Sequence, residues 1–174
     1  MITVVVITIL ATIAIPFFTG QSRKSKAKSE VSAMFAELSA KEEAFKMDHG
    51  FYFPYGTGTG GTTAACPTTP LPTLQDASGC PAGAWTELLP SAPLRVVLPQ
   101  TQLRCSYALT SGLALSGAPA TPGTTTMQVG IPNGSPPAAW FFAVATCDMD
   151  GVGIKSTYFT SSMDSSLQIL NEGS

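Results

Sequence analysis

The sequence predicts an α+β protein in which one long N-terminal α-helix packs on an antiparallel β-sheet head. Three observations predict it. An uncharged apolar run at the N-terminus passes directly into a stretch with helical periodicity. All four cysteines, and all but three of the 16 Gly and 14 Pro, fall after position 50. The strongest β signal, Trp140 to Cys147, is followed by an Asp-Gly turn and a second β-rich run, which reads as a hairpin.

With 174 residues, the chain suits one domain with an appendage and is long enough to bury a core. Charged residues are only 11% of it, and 9 Lys plus Arg against 11 Asp plus Glu leave a net charge of −2. That balance excludes a broad nucleic-acid-binding surface, so no nucleic-acid partner is expected. The charge is segmented. Residues 1–22 carry none. Residues 23–50 mix six cations with five anions, and residues 51–174 are acidic, with three cations and six anions.

The first element is the apolar run MITVVVITILATIAIPFF. As a helix it falls just short of a ~30 Å hydrocarbon core. A signal peptide lacks support, because no basic region precedes the run. A buried core helix does not fit an element apolar on every side beside so polar a continuation. Pro16 removes one backbone hydrogen bond and crowds the carbonyl of Thr12, so a kink or local loosening is expected there. Thr8 and Thr12 are placed to compensate, and Gly20 is a second weak point.

Residues 19–49 continue as an amphipathic helix. Ala27, Val31, Met34, Phe35, Leu38 and Phe45 recur at spacings of three, four and seven, and are expected to pack on the head. Glu37 with Lys41, and Glu42 with Lys46, are i,i+4 pairs of the favoured orientation. Gly50 is a fitting C-cap. Arg23, Lys24, Lys26 and Lys28 follow the apolar run and are read as a solvated face or as inter-subunit pairing residues, with acidic lipid or DNA as the sharper alternatives. The positive-inside rule would place these cations in the cytoplasm. The cysteines argue for the other side, and a basic leader ahead of the chain would remove the conflict.

The head, residues 51–174, begins with the aromatic run Phe51 to Tyr55, expected to pack in the core. The low-complexity stretch that follows reads as a long surface loop. Residues 94–98 and 103–109 are strand candidates, residues 115–137 are another loop, and residues 166–170 are a last short strand. The expected sheet has three or four strands. Cys66, Cys80, Cys105 and Cys147 form no CxxC pair and have no His nearby, which disfavours zinc. An even count points to two disulfides and an oxidising compartment. Of three connectivities, Cys66–Cys80 with Cys105–Cys147 is favoured, since the first pair is close in sequence and the second joins two strand candidates.

The apolar run ending in Ala14, Ile15 and Pro16, followed by a polar amphipathic helix, resembles the N-terminus of type IV pilins and the related type II secretion pseudopilins. Met1 matches the methionine that closes the family signature F-T-L-I-E-L-M. The resemblance places the other six residues ahead of Met1, among them a methylated N-terminal residue and a glutamate two positions upstream. Thr8 stands where many members have glycine. The likeness covers about the first 50 residues, while the rest matches only as a disulfide-bearing β-rich head. It implies the type IV pilin fold and a structural subunit that polymerises with copies of itself. Ile2, Val5, Ile9, Leu10, Ile13, Ile15, Pro16 and Phe17 would then be the filament-core residues. It further implies inner-membrane anchoring before assembly, an assembly machinery and other pilins as partners, and an extracellular filament as the destination. The alternatives are a pseudopilin and a membrane-anchored periplasmic binding module.

No enzymatic activity and no cofactor are expected. A lone His49 at a helix end supports no catalytic triad, and the adjacent Glu42 and Glu43 cannot share a helix face. Asp148 and Asp150 with Gly151 and Gly153 resemble the start of a calcium loop. The twelfth position from Asp148 is Phe159, which excludes an EF-hand. A different calcium site at Asp148 and Asp150 stands as a minor alternative to a hairpin turn. Asn133, Gly134 and Ser135 form both a sequon and a turn signal.

Overall fold

A computed structural model of the chain describes residues 2–54, 60–62, 65–77, 80, 94, 96–115, 136–153 and 155–171, with the side chains of residues 2–20, 60–62 and 170–171 left outside the description. Helix α1 runs from Ile2 to His49 as one element, about 72 Å long at 1.5 Å per residue. It is continuous through Pro16 and Gly20, so the proline does not end it. It ends where expected. Gly50 takes a positive φ of 83°, and its N–H donates to the Lys46 carbonyl at 2.8 Å, satisfying one of the open carbonyls of the last turn.

Seven strands follow: β1 (Gly60–Thr62), β2 (Gln75–Asp76), β3 (Gln102–Leu103), β4 (Ser106–Gly112), β5 (Trp140–Cys147), β6 (Ser156–Ser161) and β7 (Gln168–Asn171). Five form one antiparallel sheet in the order β1-β4-β5-β6-β7, and β2 pairs with β3. The β5–β6 hairpin is present, with Cys147 opposite Ser156. The chain is therefore α+β.

The sheet is larger than the sequence reading allowed, and the strands ahead of Trp140 are placed differently. The stretch read as surface loop supplies β1, which adds to the free edge of β4. Gly60 and Gly61 have little strand propensity, so the pairing is imposed by the neighbouring edge. The candidate strand at 94–98 is not a strand in its described residues. Leu94 and Val96 face the core, but the Val97 N–H donates to the Glu37 carboxylate at 3.0 Å instead of to a strand partner. The candidate at 103–109 is two strands, interrupted at Arg104 and Cys105.

Strand alternation gives the sheet two apolar faces. Tyr107, Ala145 and Tyr158 lie in one cross-strand row facing α1, with Leu109 and Ala143 in the next. Small Ala143 and Ala145 on the central strand leave room for the bulky Met34, Phe35 and Leu38 of the helix. Phe35 meets the Tyr107 ring edge-on at 6.2 Å. The other face buries a second cluster of Trp140, Phe142, Val144 and Phe159. There Trp140 lies over its cross-strand partner Gly112 and stacks on Phe142 at 5.9 Å.

Gly112 is required by that close approach, because a Cβ at this position would overlap the Trp140 ring. Gly112→Ala is expected to cost about 2 kcal/mol by overpacking, read as a lower urea midpoint with unchanged slope.

Candidate functional site

Helix α1 presents two chemically different sides. The inward side is apolar at Ala27, Val31, Met34, Phe35, Leu38 and Phe45, all buried in the core cluster with Phe53, Leu103, Cys105 and Tyr158. These helix residues lie along one face because three- and four-residue spacings repeat on a 3.6-residue turn.

The same seam carries four carboxylates. Glu30 is 7% exposed, and its oxygens accept from the Arg104 N–H at 2.9 and 3.1 Å, the Cys105 N–H at 2.9 Å and the Tyr107 hydroxyl at 3.2 Å. These are the two residues that separate β3 from β4, so the helix takes up N–H groups that the strand break frees. Glu37 accepts from Val97 N–H, and fully buried Glu42 accepts from Phe53 N–H at 2.9 Å. Glu43 accepts from the Tyr52 hydroxyl at 2.7 Å.

The sequence reading expected Glu42 to pair with Lys46. Glu42 turns into the head instead, and the Lys46 ammonium donates to the Tyr52 hydroxyl at 2.9 Å while lying over that ring. The Glu37–Lys41 pair is present at 3.8 Å. The seam was missed because glutamates on a helix ordinarily read as a solvated face. The one available signal was position, since Glu30 falls between Ala27 and Val31 on the apolar stripe.

The phenols record this environment. Burial pushes the Tyr107 hydroxyl well above its ordinary value, and the charge of Glu30 and the bond to it push the same way. Tyr52 is raised first by burial, then by its bond to Glu43 and by that charge.

Cys66 bonds to Cys80 and Cys105 to Cys147, the pairing favoured from spacing and strand placement. The second bridge ties the β3–β4 break, where Glu30 docks, to the end of β5. The aromatic run at the helix end is largely core: Tyr52, Phe53 and Pro54 are buried and Phe51 is half-buried, while Tyr55 lies outside the described residues. His49 stacks on Phe45 at 4.0 Å, a helix-end packing role.

Asp148 and Asp150 sit in the β5–β6 turn. Both Asp148 oxygens accept backbone N–H groups, from Gly151 at 2.8 Å and Gly153 at 3.2 Å, and Asp150 accepts from Val152. That is the bonding of a hairpin turn. Among the described residues no group of three or more His, Cys, Asp or Glu is placed to hold a metal. A cleft of about 320 Å³ beside Lys46 and Tyr52, bounded by Pro136, Pro137, Trp140 and Met163, presents one cation already bonded to a phenol.

The outward side of α1 is polar and then small. Arg23, Lys26 and Lys28 are exposed, followed by Ser29, Ala33, Ala36, Ala40, Ala44 and Met47. Among the described residues no helix is long and apolar enough to cross a membrane. The side chains of Ile2, Val5, Ile9, Leu10, Ile13, Ile15, Pro16 and Phe17 lie outside that description, as do Asn133, Gly134 and Ser135. No family model, no curated protein and no solved structure matches the chain.

Two outcomes are expected from this seam. Glu30→Ala strands two backbone N–H groups and a phenol, and should cost about 3 kcal/mol in denaturant unfolding. Tyr107 and Tyr52 have folded-state values above the unfolded value of about 10, so their contribution is complete below pH ~10 and is lost as pH rises toward the folded values. Unfolding free energy should therefore fall above pH ~10, and Tyr107→Phe should flatten that fall.

Proposed function

We propose that the chain is a structural subunit of a type IV pilus-like filament, without enzymatic activity, that polymerises with copies of itself through residues 1–18. The observation that carries this reading is a division of labour along one helix. Helix α1 is continuous from Ile2 to His49, residues 2–18 of it carry no charge, and its stretch from Ala27 to Phe45 packs on the head. The apolar run of residues 2–18 is 17 residues long, about 25 Å of helix. In this reading lipid, or other copies of the same run, bury it.

In this reading the run is stored in a bilayer and then transferred into a bundle of identical helices. Ile2, Val5, Ile9, Leu10, Ile13, Ile15 and Phe17 would supply the apolar contact. A repeated head-to-tail contact that does not close on itself generates a helical polymer. Pro16 leaves one carbonyl free of its helical partner, a point where crossing helices could adjust. The docked half of α1 and the two disulfides support the reading, since they would let the head survive this transfer as one body. The pilin fold and an extracellular destination belong to the same proposal.

The test is a pair of charge insertions. Val5→Asp or Ile9→Asp should abolish filaments in a sheared cell-surface fraction, while near-ultraviolet circular dichroism shows a native head. Filament yield equal to that of the parent chain overturns the proposal. Parent protein found in membranes but never in the sheared fraction would favour a pseudopilin or an anchored module.

A further inference from the structure

Arg23, Lys24, Lys26 and Lys28 lie where the apolar run gives way to the docked half of the helix. Residues 1–29 hold four cations and no anion. The nearest carboxylate is spoken for: Glu30 is buried and accepts the Arg104 and Cys105 N–H groups. The Lys41–Glu37 ion pair lies well beyond these cations. Arg23, Lys26 and Lys28 are exposed and Lys24 is half-buried.

Their angular spread is informative. At about 100° per residue, Lys24, Lys28 and Lys26 lie roughly 100°, 140° and 300° around the axis from Arg23. Ala27, the first residue the head covers, falls between Arg23 and Lys24 at about 40°. The cations therefore form a collar and not a stripe. A partner meeting one side of the helix, whether a second copy or a nucleic acid, would leave part of the collar unmatched. An environment that meets the helix on every side the head leaves open matches all of it.

Height along the axis puts the cations from the outer edge of the headgroup zone outward, with Arg23 and Lys24 within side-chain reach of it. Arg23 begins about 7.5 Å after Phe18, and residues 23–28 span about 7.5 Å. The headgroup zone on each side of a ~30 Å hydrocarbon core is roughly 5–7.5 Å deep, and Lys and Arg side chains reach several ångströms along the axis toward water and phosphate.

We infer that this collar binds anionic phospholipid headgroups around the stored subunit, on the leaflet facing the head, and sets the depth of the helix in the bilayer. The inference rests on the reading that residues 2–18 lie in a bilayer before assembly. Juxtamembrane cations gain from anionic lipid additively, and the gain is screened by salt.

The test uses the full chain in vesicles of phosphatidylcholine and phosphatidylglycerol at a roughly 7:3 ratio, doped with spin-labelled lipid of either class. Electron paramagnetic resonance reads the fraction of each label immobilised at the protein. Labelled phosphatidylglycerol should be favoured by about threefold or more at low salt. The preference should approach parity in about 1 M NaCl, where the screening length is ~3 Å. It should also vanish in the variant carrying Arg23→Gln, Lys24→Gln, Lys26→Gln and Lys28→Gln, with its head native by circular dichroism. Equal immobilisation of both labels by the parent chain overturns the inference and leaves the membrane reading standing. A preference that persists in the variant also overturns it. Immobilisation of neither label overturns the membrane reading itself. Loss of filaments in the variant, with no lipid preference in the parent, would assign the collar to a second copy.

Discussion

The Glu30 carboxylate is the constraint on which the arrangement of helix and head depends. A carboxylate at 7% exposure is costly unless its oxygens are bonded. Here two consecutive backbone N–H groups and a phenol supply those bonds. They come from residues more than seventy positions away, so the helix and the β3–β4 corner satisfy each other. Cys105 belongs to that corner and is bridged to Cys147, which fixes the corner to the end of β5. Helix register, strand break and disulfide therefore meet at one point.

The other carboxylates extend this seam toward the C-terminal end of α1. Glu37 holds the irregular segment at Val97, Glu42 holds the turn at Phe53, and Glu43 holds Tyr52. Apolar packing alone would let the helix slide or rotate on the sheet, because apolar contact is non-directional. Directed bonds from a row of carboxylates select one register. The small residues of β5 then matter for depth: Ala143 and Ala145 allow Met34, Phe35 and Leu38 to seat closely above them.

This seam also separates the helix into parts with different obligations. Between Ala27 and Phe45 the inward side is committed to its own head, with apolar and polar groups both satisfied within the chain. Ahead of Ala27 lie three of the four clustered cations and the uncharged apolar run of residues 2–18. A helix divided this way can hold a folded head while its other end changes surroundings from lipid to protein. That is the physical basis on which the filament reading stands.

Much of this was legible in the amino-acid order, because the signals are local. The three- and four-residue spacing of Val31, Met34, Phe35, Leu38 and Phe45 marks the docked face, and Gly50 marks the helix end. The alternating run from Trp140 to Cys147, followed by Asp148 to Gly153, marks the central hairpin. Cysteine count and proximity favour the two bridges. What only the tertiary structure decided is where long-range partners lie. Glu30, Glu37 and Glu42 read locally as solvent-facing, yet each meets an N–H from a distant segment. Residues 94–98 and 103–109 read locally as strands, yet the Val97 N–H turns to Glu37, and the second run is broken into two strands where Arg104 and Cys105 donate to Glu30. Gly60 and Gly61 have no strand propensity, yet the free edge of β4 recruits them. Periodicity and turn chemistry act over a few residues and so are written in the sequence. A buried polar group is settled by whichever partner the folded chain brings to it, and that is a property of the assembled whole.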